Sequence, residues 1–233
     1  MANDHDPRFI IVIDKILVRY YTEKLLPGSG LFDHRLYDGY DRTAALDAIE
    51  KNSVIKISNG WHQYRFVFDT WDREKINAAI DDWLKKPMKN DEWAYRFCRP
   101  GFTVEKIIEP VNTVIKVFCF HGKAWYFWFQ TYDVSKGNVD CTASTLYDQN
   151  FKKLNAPWEK LPDPEYPHPQ HMEKRIREIS EILARDFDHM RVDLFYNYSE
   201  DKIYMSEIVP YTGRGTTAYP EWVNVEMGNR WRN

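Results

Sequence analysis

The sequence predicts an α+β protein of two lobes, on three observations. Helix-like and strand-like periods alternate over residues 14–86. From Thr103 the pattern changes to strands joined by short turns, as in antiparallel ladders. One long amphipathic helix, over residues 171–186, interrupts that second pattern. A chain of 233 residues suits one compact domain or two small lobes. The change of character near residues 102–112 divides it into an N-terminal lobe, 1–107, and a C-terminal lobe, 108–233.

Residues 14–26 carry Ile16, Leu17, Tyr20, Tyr21 and Leu25 at helical spacing, and Pro27-Gly28-Ser29-Gly30 ends the helix. A short helix over 43–51 has Ala44, Leu46 and Ile49 as its apolar residues. Ser53-Val54-Ile55-Lys56-Ile57 is a strand that enters the loop Ser58-Asn59-Gly60, and residues 64–69 return from it. Asp72 caps a helix running through Ile76, Ile80 and Trp83 to Lys86, where Pro87 stops it. Strands follow at 104–109 and 113–120, and His121-Gly122-Lys123 turns the chain into another at 124–131. Residues 154–170 hold Pro157, Pro162, Pro164, Pro167 and Pro169 and read as an extended loop. The helix at 171–186 has Met172, Ile176, Ile179, Ile182 and Leu183 on one stripe. Strands at 191–196 and 202–208 close a hairpin around 197–201.

Composition narrows the function classes. With 43% hydrophobic and 29% charged residues the chain is globular, and no run nears the roughly 20 apolar residues of a spanning helix. Lys+Arg is 32 against 35 Asp+Glu, so no basic excess points to nucleic acid. Cys98, Cys119 and Cys141 are too sparse for a disulfide framework or a zinc site, which places the protein in a reducing compartment, the cytoplasm. The polar, acidic start, Met1-Ala2-Asn3-Asp4, reads as carrying no secretory signal. Aromatic residues make 16% of the chain; they suit a large core or a stacking surface for sugars or bases, and their alternation in strands favours the core.

The most informative stretch is the last hairpin. Asp193 and Glu207 lie on its two strands among apolar neighbours. Neighbouring carboxylates repel unless a cation lies between them, and Mg²⁺ with a nucleotide phosphate meets that need. Arg191 shares the face of Asp193 by period two and can present a planar fork to phosphate. Taken alone these residues read more readily as an ordinary surface ladder pair and a solvated acid, because Arg-x-Asp is common. Lys56 interrupts Val54-Ile55-x-Ile57, which makes it harder to read as an ordinary surface lysine, and Lys116 interrupts Val114-Ile115-x-Val117, so it either snorkels at a sheet edge or faces a ligand. No Walker Gly-Lys-Ser/Thr and no Gly-x-Ser-x-Gly elbow occurs. His168 and His171 are three apart but lack an acidic third ligand. Arg214, in Tyr211-Thr212-Gly213-Arg214-Gly215, could meet an acyl phosphate or a carboxylate.

Arg191-Val192-Asp193, a charged turn and a strand ending in Glu207 resemble the metal-binding signature of the ATP-grasp superfamily, and more closely its TupA-like, teichuronopeptide-biosynthesis branch. Further segments are similar to that branch, in order over about residues 14–215: Asp14-Lys15-Ile16-Leu17-Val18-Arg19, Val54-Ile55-Lys56 with Ser58-Asn59-Gly60, Glu92-Trp93-x-Tyr95, Ile107-Ile108-Glu109, and Lys116 through Lys123. The resemblance implies two α+β lobes with a nucleotide between antiparallel sheets, and the domain that usually precedes them largely absent. It implies ATP and Mg²⁺ as cofactors. Lys15, Lys56, Ser58 and Gly60 would meet the phosphates, Glu109 the adenosine hydroxyls, and Asp193 and Glu207 the metal; Arg191 and Lys116 would serve the transferring phosphoryl group. The implied reaction is ATP-dependent carboxylate–amine ligation through an acyl phosphate, on a small-molecule or cell-envelope polysaccharide acceptor. A missing preceding domain leaves room for a homo-oligomer or a partner chain to complete the acceptor site. A phosphotransferase acting on a sugar hydroxyl would use the same motifs. A non-catalytic saccharide- or partner-binding relative is the further alternative, because Val209 stands where the family commonly has an oxygen-bearing residue and Gly60 is followed by Trp61 rather than a second glycine.

Overall fold

The computed structural model describes residues 5–60, 62–85, 93–108, 112–135, 137, 139–154, 161–164, 169–212 and 221–232. The chain divides into two compact units, Met1–Lys24 with Gly28–Ile108, and Leu25–Pro27 with Glu109–Asn233. The α+β class read from the sequence is the class observed.

In the first unit α1 (Arg8–Ile13) and α2 (Leu17–Leu25) come first. Asp14 Oδ1 accepts from the backbone N–H groups of Ile16 and Leu17 at 2.8 and 3.1 Å. The residue expected inside the helix is therefore its cap, and the helix begins beyond it. A four-stranded antiparallel sheet follows, built from β1 (Arg35–Gly39), β2 (Ser53–Ile57), β3 (Tyr64–Val67) and β4 (Phe102–Lys106) in the order β1-β4-β2-β3. The strand expected over 104–109 is β4; it starts earlier and leaves the ladder at Lys106, where β2 also begins. Two helices flank the strands, α3 (Arg42–Asp47) and α4 (Arg73–Lys85). Asp41 caps the first and Asp72 the second, Asp72 Oδ1 accepting from Glu74 and Lys75 N–H at 2.9 and 3.2 Å. Pro87 lies outside the described residues.

The two faces of this sheet differ. Ile55, Ile57, Val67, Phe102 and Val104 pack with Ala45 and Leu46 of α3 and Ile76, Ile80 and Trp83 of α4. Each fully buried aliphatic or aromatic side chain there contributes about 1.5–3 kcal/mol relative to exposure. The other face carries Val54, Lys56, Thr103 and Glu105, since Val54 pairs with Glu105 and Lys56 with Thr103.

The second unit holds a five-stranded antiparallel sheet of β5 (Asn112–Phe120), β6 (Lys123–Asp133), β7 (Asp140–Asp148), β8 (His189–Asn197) and β9 (Lys202–Val209), ordered β7-β6-β5-β8-β9. The β5–β6 turn runs through His121 and Gly122 with φ of 49° and 71°, a left-handed pair that suits a two-residue hairpin. A Cβ on Gly122 would stand 2.9 Å from Arg185 Cα, so only glycine fits. Helix α5 (Glu173–Ala184) buries Ile176, Ile179 and Leu183, and Cys119 Sγ of β5 reaches Ser180 O at 3.8 Å. The opposite face of the sheet bears Phe118, Phe120, Tyr126, Trp128 and Leu146, with Met227 of α6 (Glu221–Arg232) packed on them. Of the proline-rich segment, residues 155–160 and 165–168 are outside the described set; Pro162 accepts from Ser144 N–H at 2.9 Å and so lies beside β7.

Candidate nucleotide and metal site

In the first unit Lys15 and the loop after β2 are one structure. Lys15 N–H donates to Ser58 O at 3.2 Å, Ser58 N–H to Gly101 O at 2.8 Å, and Lys15 Nζ to Gly60 O at 2.7 Å. Ser58 is wholly buried, and its hydroxyl donates to Arg99 O at 3.2 Å and accepts from Gly101 N–H at 3.0 Å. That hydroxyl therefore frames the loop. Gly60 has no room for a side chain: an added Cβ would meet Gln63 Oε1 at 2.0 Å and Ile57 Cγ2 at 2.1 Å. Trp61 is outside the described residues.

Lys56 reaches across the sheet. Its Nζ donates to Glu105 Oε2 at 2.5 Å. Burial by itself would push the Glu105 carboxyl up, but Lys56, His34 and Arg35 override it and hold the group well below the ordinary carboxylate range. His34 and Arg35 lie 3.7 and 3.6 Å from that carboxylate. Burial in turn lowers His34, and Glu105 offsets part of the effect. Sequence reasoning passed over Glu105 and Arg35. Glu105 left a signal, a lone acid inside Phe102-Thr103-Val104-x in a strand buried on both faces. Glu109, the acid expected at the end of that strand, lies outside the described residues.

In the second unit one sheet face gathers the remaining residues. Lys116 of β5 stands opposite Asp193 of β8, and Asp193 opposite Glu207 of β9. Arg191 donates from Nε and Nη to the two Asp193 oxygens, each at 2.7 Å, a bidentate pair within one strand. Its Nη2 also lies 3.6 Å from Glu207 Oε1. Val209 faces Arg191 across the ladder. Lys116 Nζ donates to Tyr132 OH at 2.9 Å, and Tyr132 OH donates to Gln130 Oε1 at 2.7 Å. The ammonium stands 5.3 Å from the Trp128 ring centre. Burial draws the Lys116 pKa down, and Asp193 partly restores it.

The carboxylates meet because β9 is irregular. From Asn197↔Lys202 to Leu194↔Met205 the hairpin is regular; then the register shifts, and Asp193 pairs with Glu207. A regular ladder would set Ser206 opposite Asp193 and turn Glu207 toward the α5 face. The bulge adds one residue, so Glu207 joins Asp193 and Ile208 returns to the core. The signal is in the sequence: buried Ile203 and Met205 fall on one phase, buried Ile208 on the other.

Asp193 is 2% exposed and already holds the Arg191 fork, whereas the Glu207 side chain is 41% exposed. These two acids fit Mg²⁺, which takes one or two protein carboxylates and fills its shell with phosphate oxygens and water. Among the described residues no group of three or more His, Cys, Asp and Glu could hold a metal alone. His171 pairs with Asp201 at 2.7 Å; His168 and Arg214 are outside the described residues.

No curated protein matches the chain. Among solved structures it is similar to D-alanine–D-alanine ligase from Helicobacter pylori, with TM-score 0.56 and 17% identity over 95% of this chain and 61% of that one. The Bacillus anthracis D-alanine–D-alanine ligase gives 0.53 and 14%, over 94% and 62%. An Aspergillus clavatus N5-carboxyaminoimidazole synthase in complex with ADP gives 0.50 and 13%, over 85% and 44%. At these identities the likeness is one of fold, and the chain spans under two thirds of the length of each of these three enzymes. The family model described as TupA-like ATPgrasp matches residues 12–231, nearly the whole sequence, and the chain belongs to that family.

Proposed function

We propose that the protein is an ATP-dependent carboxylate–amine ligase working through an acyl phosphate. The observation that carries this reading is the bulged β8–β9 ladder, which sets Glu207 beside Asp193 and Arg191 on the sheet face of Lys116. Such a charged face adds little to stability, since an exposed pair is worth roughly 0–1 kcal/mol and a buried one often no net gain. Its value lies in chemistry. Membership of the ATP-grasp family supports the reading, as does the ADP held by a protein of similar fold.

Asp193 and Glu207 would hold Mg²⁺, whose charge, when bound, offsets that of the phosphate oxygens. Lys15 and Lys56 would neutralise the phosphates, with the Gly60 backbone close by and Glu109 directed to the adenosine hydroxyls. Arg191 and Lys116 would stabilise charge on the transferring phosphoryl group. These residues position and neutralise rather than react, as phosphoryl transfer requires. The acyl phosphate formed on a carboxylate then yields to an amine. A polysaccharide carboxylate as acceptor, and a cytoplasmic setting, belong to the same reading.

Titration calorimetry with ATP and MgCl₂ tests it. Wild type is expected to bind, and Asp193→Asn to bind at least about tenfold more weakly, a loss of 1.4 kcal/mol. An absence of ATP binding by wild type would defeat the proposal. Product analysis then separates a ligase, which yields an amide and free phosphate, from a kinase, which yields a stable phosphorylated sugar.

A further inference from the structure

Lys15 and Lys56 of the first unit are tied to one buried guanidinium. Arg35 opens β1, and its side chain is 1% exposed. Its Nη1 donates to the backbone carbonyl of Lys15. Its Nε lies 3.6 Å from Glu105 Oε1, while Glu105 Oε2 accepts from Lys56 Nζ at 2.5 Å. Asp38 lies 3.8 Å from Arg35 and binds Arg19 at 2.8 Å, and the Phe32 ring centre lies 4.6 Å from the guanidinium carbon. Arg35 Nε and Nη2 find no hydrogen-bond acceptor among the described residues.

This arrangement is costly if stability is its only purpose. Burying a guanidinium with incomplete hydrogen bonding is unfavourable, and an apolar side chain of like volume would fill the place better. The arrangement instead fixes geometry. Lys15 is held at its N–H by Ser58 and at its carbonyl by Arg35, so its side chain leaves from a fixed point. Glu105 is held by Arg35 and His34, so the ammonium of Lys56 that it receives is fixed as well.

We propose that Arg35 is a positioning residue for nucleotide phosphates, setting the ammonium groups of Lys15 and Lys56 through the Lys15 carbonyl and the Glu105 carboxylate. This rests on the reading of those lysines as phosphate contacts. Arg35 meets no phosphate itself, so its loss acts in proportion to what the lysines hold.

The experiment is calorimetric binding of AMP, ADP and ATP, each with MgCl₂, to the full chain as wild type, Arg35→Met and Arg35→Lys. The expected loss grows with phosphate number: AMP changes less than about twofold, whereas ATP weakens about tenfold or more, the usual scale for breaking hydrogen bonds to a charged group. In a Lys56→Met background the same Arg35 change is expected to cost less, because the two act through one ammonium. Arg35→Lys keeps a buried charge and answers the question if Arg35→Met does not fold; one ammonium cannot serve both the carbonyl and the carboxylate, so the graded loss remains. Equal weakening of all three nucleotides, or none, in variants of a wild type that binds them in graded fashion would overturn the assignment of Arg35 alone. A wild type that ignores phosphate number would overturn the reading of the lysines, and this inference with it.

Discussion

In the first unit Lys56 reaches across the sheet to an acid 49 residues away, whereas in the second Arg191 reaches along its own strand to an acid two residues away. Both pairs bury a carboxylate, Glu105 at 3% and Asp193 at 2% exposure. They are built differently. Glu105 is the centre of a network that takes in Lys56 from β2 and the adjacent His34 and Arg35 at the start of β1, so it fastens β1, β2 and β4 as well as setting the lysine. Asp193 answers to one guanidinium, and its other neighbours, Lys116 and Glu207, are brought alongside by register alone. The first region depends on a many-partner contact, the second on the alignment of strands.

The sharpest way to break the comparison is to remove the hub. Glu105→Ala leaves Lys56, Arg35 and His34 facing one another without their acid. Removing one partner of a buried ion pair costs about 3–5 kcal/mol, and two stranded cations, Lys56 and Arg35, beside a histidine whose pKa burial lowers, place this variant in that range. Urea denaturation at neutral pH checks it; a loss below about 1 kcal/mol would mean that the network does not bind the strands together. If the variant folds, its ATP affinity is expected to fall with it, since Lys56 loses its tether.

Acid sharpens the comparison next, because each region holds a buried histidine. His189 opens β8, stacks on Trp231 of α6 with ring centres 4.7 Å apart, and burial draws its pKa down to about 4. An unfolded histidine titrates near 6.5, so between the two values the unfolded chain takes up the proton and the folded one does not. The stabilisation is complete above pH 6.5 and is lost as the pH falls toward 4, about 2 kcal/mol between pH 7 and 5 for this group. His34 is lowered in the same direction. Glu105, held below the ordinary range, loses its contribution only at lower pH, below its unfolded value of 4.5. Urea midpoints at pH 7 and 5 for wild type and His189→Phe, which keeps a stacked ring, are expected to show the smaller acid loss in the variant. Equal losses would mean that His189 takes its proton without unfolding.

What could be read from the sequence follows the same division. Arg191 and Asp193 share a face by period two, and that local relation was legible and is observed as a bidentate pair. Lys56 was legible as a cation interrupting an apolar strand, but its partner was not, because the order β1-β4-β2-β3 that joins them is a matter of long-range pairing. The pairing of Asp193 with Glu207 was expected without the bulge that produces it; the change of apolar phase between Met205 and Ile208 held that information. The apolar stripe of α5 was plain, while α6, with only Val223 buried, has no comparable stripe to read. Strand β7 went unread because Asp140-Cys141-Thr142-Ala143-Ser144 alternates weakly, as a strand at the edge of a sheet can.

The smallest expected change in stability is the most informative about chemistry. Glu207→Gln keeps the shape of a side chain that is 41% exposed and 3.6 Å from Arg191, so the pair is solvated and its loss should cost less than about 1 kcal/mol. The same variant removes the more accessible of the two carboxylates proposed for Mg²⁺. A melting temperature within a few degrees of wild type, together with ATP binding that no longer strengthens when MgCl₂ is added, is the expected pair of results. Undiminished Mg²⁺ dependence would assign the metal elsewhere and leave the bulge at Ser206 without a chemical purpose. A large drop in stability would instead make β9 a structural network like that of Glu105, and the contrast between the two regions would disappear.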